Sequence, residues 1–345
     1  MDFASSPSII ELDKTIPRNP FVSVVCPMYN EGEAIHANLT KLFSSLTNLS
    51  YPWEVILIND GSTDDSLQNA SALIDQQEQF KIITYKANRG RGYAIRQGII
   101  VAHGDIIVVT ESDLSWGADI IARLVEKLTQ DHLDVVVASP HASGGCMRNV
   151  PFPRRCYTKV GNKILRLLMP VKLTMYTGMT RAYRGDILKS LSLLSDGKEI
   201  HLEIISKLSD IGYRIGEISA ALSWEPGRKK RKSGFHAKRY ILSHLAFGIG
   251  ESPLFFLSLI SLLFVVLGCS GGIYLLALSW SGNPVAGRPL IQFVMLAIIV
   301  GLFMLIFGFL AQQNRHLERQ VLRLQYEIFK NSAIKGKNED EQHRS

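Results

Sequence analysis

Two long stretches of this chain contain no charged residue. From Ser252 to Gly287, and again from Pro289 to Asn314, there is no Asp, Glu, Lys or Arg. Within them lie PLFFLSLISLLFVVLGCSGGIYLLAL and LIQFVMLAIIVGLFMLIFGFLA. Each run exceeds the roughly 20 apolar residues that cross a ~30 Å hydrocarbon core. Charge-free runs of that length argue against buried helices of a soluble domain and for a pair of membrane spans at 252–314. Cysteine is scarce too: Cys26, Cys146, Cys156 and Cys269, with no C-x-x-C pair. That argues against a disulfide framework or a thiolate zinc site and fits reduced thiols in a cytosolic compartment. The N-terminus, MDFASSPSIIELDKTIP, lacks a basic stretch followed by an apolar one. The expectation is a polar lead-in over residues 1–20 and no secretory signal. There is no internal repeat.

Positive charge is in excess. The 38 Lys and Arg outnumber the 31 Asp and Glu, giving a formal net charge of +7. An anionic partner is therefore expected. Basic residues flank both apolar runs: RKKRKSGFHAKR (Arg228 to Arg239) before the first, and Arg315, Arg319, Arg323 and Lys330 after the second. The positive-inside rule then places both ends in the cytoplasm, with SWSGNPVAGRP as the turn on the far side. Residues 228–251 read as a basic juxtamembrane segment. The 315–345 tail carries Leu317, Val321, Leu324 and Ile328 at helical spacing. It is expected to be an amphipathic helix lying on the membrane or packing between subunits of a homo-oligomer. Its polar end, GKNEDEQHRS, is expected to lack fixed structure. Nucleic acid is not an expected partner, because no basic surface interleaved with aromatics is present.

Residues 21–227 alternate in character. FVSVVCP, WEVILIND, KIITYK, GDIIVVT and LDVVVAS read as short strands. Helical patterns fall between them at 31–47, 64–78, 91–102 and 118–130. The alternation predicts an α/β fold, a mostly parallel sheet with helices on both faces. Ligands of such sheets sit at the carboxyl ends of the strands, and the unusual motifs of this chain all fall there. The first strand runs into Pro27, Tyr29, Asn30 and Glu31. The second ends at Asp60 in NDGSTDDS, a tight turn with Asp64 as helix cap. An acid at a strand end can accept hydrogen bonds from a base or ribose, so Asp60 is a candidate nucleotide ligand. The third runs into NRGRGYAIRQG, with Asn88, Gly90, Arg91 and Gly92. Ile95 stands where a dinucleotide fingerprint needs its third glycine, which argues against a nicotinamide or flavin site. The glycines instead allow close backbone approach, with Arg89 and Arg91 as anion contacts.

The fourth strand ends in TESDLSW, Thr110 to Trp116. Glu111 and Asp113 flank Ser112. On an extended segment alternate side chains share a face, so both carboxylates can meet one Mg²⁺ or Mn²⁺ that also bridges to substrate phosphates. His201, in KEIHLEII, reads as a structural histidine rather than a ligand.

In order, PMYNEGEAI, NDGSTDDS, NRGRGYAIRQG and ESDLS resemble the motifs of glycosyltransferase family 2, in particular the polyprenyl-phosphate enzymes of the dolichol-phosphate mannose synthase type. Three further segments resemble that family: GNKILRLL (161–168), YTGMTRAYRGDIL (176–188) and IGYRIGEI (211–218). The resemblance spans about residues 20–250. It implies a GT-A-like nucleotide-binding domain and a cytosolic active site. It also implies a nucleotide-diphospho-sugar donor, a polyprenyl (dolichyl or undecaprenyl) phosphate acceptor in the bilayer, and inverting transfer assisted by Mg²⁺ or Mn²⁺. Two departures stand out: Glu111 replaces the first Asp of the family's D-x-D, and Met175 stands where the acceptor segment often has Asp. On this reading Asp113 and Arg181 are catalytic. Pro27, Tyr29, Asn30, Glu31, Asp60, Asn88, Gly90, Arg91, Gly92 and Ser112 bind the nucleotide sugar, and Glu111 and Asp113 hold the metal. Arg148, Arg154, Lys159, Arg181 and Arg228 are candidates for the acceptor phosphate. Two rival readings are transfer to another lipid or polysaccharide, for which the Q-x-x-R-W segment of processive synthases is missing, and an inactive membrane-anchored sugar-nucleotide binder.

Overall fold

The computed structural model describes residues 16–74, 77–224, 246–287 and 289–342, with side chains to Ile328 in the last helix. Most of the 1–20 lead-in and the whole basic stretch 228–239, Arg228 included, lie outside the described residues. The elements in chain order are β1 (Val22–Met28), α1 (Ala34–Leu46), β2 (Trp53–Asp60), α2 (Ser66–Ile74), β3 (Phe80–Tyr85), α3 (Arg91–Val101), β4 (Ile106–Val109), α4 (Ile120–Gln130) and β5 (Val135–Ser139). There follow β6 (Cys146–Arg148), α5 (Phe152–Leu168), β7 (Arg181–Arg184), α6 (Gly185–Ser190), α7 (Ile200–Ile211), β8 (Ile215–Ser219) and β9 (Ala221–Ser223). Two long helices close the chain, here α8 (Pro253–Trp280) and α9 (Pro289–Gln342).

The main sheet has seven strands in the order β3-β2-β1-β4-β7-β5-β8. Its pairs are parallel except those of β7, which runs antiparallel to β4 and β5. The strands are near-continuous apolar runs: all four residues of β4 and all five of β5 are buried. That pattern belongs to a sheet covered on both faces. The helices supply the cover. On α4, for example, Ile120, Ile121, Leu124, Val125 and Leu128 fall on one buried face, the period of an amphipathic helix. β1 pairs with β2 on one side and β4 on the other, so the strand order reverses there. Ligands of open α/β sheets bind at this reversal, outside the carboxyl ends. Residues 29–31 and 110–113 flank it.

Both C-terminal helices are long and apolar enough to cross a membrane. Most of their large side chains face outward, Leu262, Leu263, Phe303 and Phe307 among them. Lipid would cover such a surface. Between the two helices the contacts are small-residue ones: a Cβ on Gly268 would stand 2.6 Å from Ile298, and one on Gly301 2.8 Å from Val265. Such residues let membrane helices approach closely. The tail is not a separate amphipathic helix. α9 continues from its apolar half without a break to Gln342, and the polar end expected to lack structure is helical that far. A helix already nucleated by its apolar half extends at little cost.

Candidate active site

Three strand ends make one wall of the crevice. Asn30, in a left-handed conformation (φ 52°), ties the loop after β1 to the loop after β2. Its Oδ1 accepts from the Thr63 amide at 2.8 Å, and its own amide donates to Ser62 Oγ at 3.1 Å. The amides of Glu31 and Gly32 both donate to Ser66 Oγ, at 2.7 and 2.8 Å. Pro27 lies in β1 in register with Ile58, and Tyr29 opens toward solvent.

Asp60 is buried, and its carboxylate serves the protein. Tyr85 Oη and the Arg89 amide donate to Oδ1, both at 2.8 Å. Asn88 Nδ2 and the Gly90 amide donate to Oδ2, both at 3.1 Å. Four donors fill the acceptor sites of a carboxylate. Asp60 therefore shapes loop 86–90. Tyr85 is the partner the motif did not announce; burial and the bond to Asp60 push its phenol well above the usual range. Beyond the loop, Gly90 takes φ 99° and Gly92 packs on the 195–197 segment. The amides of Gly92 and Tyr93 bond to Asp196 O. A Cβ on Gly92 would stand 2.3 Å from Ser195 O. This close packing brings Arg91, at the start of α3, to the acid turn.

That turn forms the other wall. β4 stops at Val109, and Ser112 and Asp113 lie in a turn, with Leu114 at φ 50°. Glu111 and Asp113 are therefore brought together by a turn, not by strand alternation. Glu111 Oε2 accepts from Trp116 Nε1 at 2.6 Å and Ser115 Oγ at 3.1 Å. Asp113 Oδ1 accepts from the Ser115 amide at 3.0 Å, and Ser112 is buried between the two acids. Burial pushes the Glu111 carboxyl above the ordinary carboxylate range, and the Asp113 charge pushes it further; Arg91 and the two hydrogen bonds pull the other way. Two carboxylates that oppose each other's ionisation are the setting a cation relieves. Among the described residues no three His, Cys, Asp or Glu side chains form a metal cluster. Mg²⁺ is commonly held by one or two carboxylates plus substrate phosphates, and Glu111 with Asp113 supplies that number of carboxylates. The donor set fits that kind of ion.

The side of the site next to the acid turn is built from β6, β9 and α5. β6 and β9 pair as a separate two-stranded sheet. The Ser223 amide bonds to Ser115 O at 2.7 Å, and the Trp224 amide to Arg148 O at 3.0 Å. The small sheet is thus pinned to the acid turn. Arg154, in the first turn of α5, lies over the Trp224 ring at 4.4 Å. It is within electrostatic reach of Glu111, Asp113 and Arg91. Arg148 and Lys159 are exposed on the same side, and the Lys159 charge reaches His141. Loop 141–155 is thus partly regular, holding β6 and the start of α5.

Arg181 does not join them. It is fully buried in β7, opposite Val109 and Val137. Its guanidinium donates to the carbonyls of Gly178, His201 and Tyr176 at 2.9, 2.8 and 2.5 Å. With those donors spent on backbone, it braces the segment beneath the site and does not face an acceptor phosphate. His201 is buried in α7 as a structural residue. Glu217 lies against the segment where Met175 replaces the Asp. Its Oε1 accepts from the Thr174 and Met175 amides at 2.9 and 3.0 Å, from 42 residues away in sequence.

α5 has a second property. Phe152, Tyr157, Val160, Ile164 and Leu167 lie exposed along it, while Asn162, Leu165 and Leu168 are buried. Arg155, Lys159, Lys163 and Arg166 accompany the exposed apolar residues. The far end of α5 meets the foot of α8, where Ser252 Oγ donates to Leu168 O at 2.8 Å.

Residues 23–192 match the glycosyl transferase family 2 model. The chain is 24% identical over 316 residues to a dodecaprenyl-phosphate galacturonate synthase of Rhizobium johnstonii, covering 84% of this chain and 86% of that one. It is 27% identical over 202 residues to a dolichol-phosphate mannosyltransferase of Pyrococcus furiosus, covering 56% of each. Its fold is similar to glucosyl-3-phosphoglycerate synthase of Mycobacterium tuberculosis, solved with Mn²⁺, UDP-glucose and phosphoglyceric acid. The TM-score is 0.51 at 20% identity, over 67% of this chain and 80% of that one. Residues 23–192 thus match a family 2 glycosyltransferase domain, with its strand reversal at β1, in a chain that ends in two long apolar helices and is similar over 84% of its length to a polyprenyl-phosphate sugar transferase.

Proposed function

We propose that the protein transfers a glycosyl group from a nucleotide-diphospho-sugar to a polyprenyl phosphate, with inversion, at the cytosolic face of a membrane. The observation that carries this reading is the meeting of two surfaces at one crevice. An acid pair suited to a cation and a diphosphate adjoins a basic helix whose apolar face leads to the foot of the membrane hairpin. The similar proteins named for polyprenyl-phosphate transfer support it.

The loops after β1, β2 and β3 hold the nucleotide, with Asn30, Asn88, Gly90 and Gly92 setting their shape and Arg91 facing the diphosphate. A Mg²⁺ or Mn²⁺ bound by Asp113 and Glu111 would neutralise charge growing on the departing diphosphate. Arg154, with Arg148 and Lys159, guides the acceptor phosphate. One of its oxygens attacks the anomeric carbon, the bond from that carbon to the diphosphate oxygen breaks, and the nucleoside diphosphate leaves. A phosphate monoester with a second pKa of about 6 is largely dianionic at neutral pH, so no side chain need remove a proton. This suits a site with no histidine beside the acid pair among the described residues.

The test is label transfer into the organic phase by purified protein in vesicles with polyprenyl phosphate. UDP-glucose, UDP-GlcNAc and GDP-mannose are offered in turn, with Mn²⁺, Mg²⁺ or EDTA. Lipid-linked product from one donor, abolished by EDTA, is expected. Nucleotide binding without lipid product from any of these donors would overturn the reading in favour of another acceptor or donor.

A further inference from the structure

A buried ionic cluster joins the domain to both membrane helices. Glu251 lies two residues before α8, and Arg315 follows the charge-free run of α9 at once. Arg315 Nη2 meets Glu251 Oε2 at 2.5 Å and Asp210 Oδ2 at 3.4 Å. One turn on, Arg319 Nε meets Asp210 Oδ1 at 3.1 Å. A further turn on, Arg323 Nε donates to Asp210 O at 2.8 Å. Ser206 Oγ accepts from Arg315 and donates to Glu251 at 2.7 Å. The acid side chains are only 5% exposed. Glu318 also pairs with Arg315, at 3.1 Å, so three acids balance the three arginines and the cluster carries no net charge.

Such a cluster is a poor device for stability alone, since apolar packing of the same volume often does as well. Its distinctive property is register. An apolar seam tolerates a slide along a helix, whereas three arginines spaced four residues apart against one Asp do not. Asp210 lies in the last turn of α7, and the first turn of α7 holds the 194–197 segment that packs on Gly92. Glu203 accepts from the amides of Leu194 and Ser195 at 2.9 and 2.8 Å. The next residue, Asp196, bonds through its carbonyl to the Gly92 amide beside Arg91. α7 is thus a rod of ~18 Å between the hairpin and the donor side of the crevice.

We propose that Asp210, Glu251, Arg315 and Arg319 are positioning residues that fix the height and tilt of the active site over the bilayer, and so the presentation of a membrane-embedded acceptor phosphate. The inference rests on the lipid-acceptor reading. It predicts that loosening the cluster harms reaction with a lipid in the bilayer and spares the same chemistry on an acceptor that comes from solution.

The test compares wild type with the double variant Asp210→Asn, Arg319→Gln, which removes both partners of one pair. Each is assayed with a long-chain polyprenyl phosphate in vesicles and with a short-chain, water-soluble one. The expected result is a KM for the vesicle acceptor raised about tenfold, the common size of coupling between sites. The short-chain KM, donor KM and kcat stay unchanged. Equal losses with both acceptors, or no loss with either, would overturn the proposal. Energy transfer from a label at Lys41→Cys, with the four native cysteines replaced, to labelled lipid headgroups gives a readout independent of turnover. A broader distance distribution is expected in the double variant or, should that fail to fold, in Arg319→Lys; an unchanged one would overturn the proposal. Wild type without product from either acceptor would count against the lipid-acceptor reading, while the distance measurement would still report on the cluster.

Discussion

Two glutamates stand at opposite ends of the same sheet and are treated in opposite ways. Glu54, near the start of β2, accepts from Ser23 Oγ at 2.6 Å, the His103 amide at 2.8 Å and Lys81 Nζ at 2.9 Å. Burial works against its charge, but these bonds win and hold its carboxyl down at about 2. Glu111, past the end of β4, has two hydrogen bonds and an acid beside it, and burial with that acid drives its carboxyl up. The chain has the means to satisfy a buried carboxylate fully and does so at the amino end. At the carboxyl end it leaves a charge conflict. Local inconsistency of this kind is expected at functional sites: Glu54 contributes to stability, and the Glu111–Asp113 pair is where we propose that a cation binds.

The largest effect that sharpens this contrast is at Asp113. Asp113→Ala should cut turnover at least about a hundredfold, the scale of losing a transition-state charge contact. The melting temperature should hold or rise, since a like charge is removed beside Glu111; a melt with parallel kinetics checks both.

Glu54→Gln should do the reverse. A fall in pKa from 4.5 to about 2 corresponds to roughly 3 kcal/mol of folding stability at neutral pH. For a depressed carboxylate that contribution is present above the unfolded value, shrinks as pH falls below 4.5, and is gone near 2. Urea unfolding in detergent should therefore show a large wild-type advantage at pH 7 and a smaller one at pH 3, with kcat unchanged in the variant. A constant difference across that range would break the comparison.

Gly92→Ala is next. The added methyl meets Ser195 O and must shift Arg91 or the 195–197 segment. The donor KM should rise about tenfold, as expected for a small misplacement of a binding group, with the acceptor KM unmoved. Smallest is Lys159→Ala. One basic residue near a membrane surface contributes about 1 kcal/mol, so kcat/KM for the lipid acceptor should fall about fivefold at low salt, with the gap closing as salt is added.

Much of this was legible in sequence because strand ends advertise themselves. The apolar runs of β1, β2, β4 and β5, and the acids and glycines after them, fix both the sheet and the crevice. The hairpin was legible from charge-free length alone. What escaped depends on contacts distant in sequence. Arg181 reads as a catalytic, phosphate-binding residue because it lies in the family-like segment 176–188, and only the insertion of β7 between β4 and β5 buries it. Glu217 bonds the 174–175 amides by lying on the neighbouring strand β8. Trp116 shows its indole donor only once the turn folds back on Glu111. Asp60 sits where the motif places it, yet four donors from β3 and the loop after it take its carboxylate inward. The arginines of α9 read as orientation signals, and their partner Asp210 lies over a hundred residues earlier.

The most direct test of the central claim, that the Glu111–Asp113 conflict is relieved by a cation arriving with a diphosphate, is Mn²⁺ binding followed by electron paramagnetic resonance. Wild type with UDP or GDP should remove the free-ion signal, and Glu54→Gln should do the same. Asp113→Ala should leave the signal in place. Equal Mn²⁺ uptake by wild type and Asp113→Ala, or none by wild type with either nucleotide, would contradict the account.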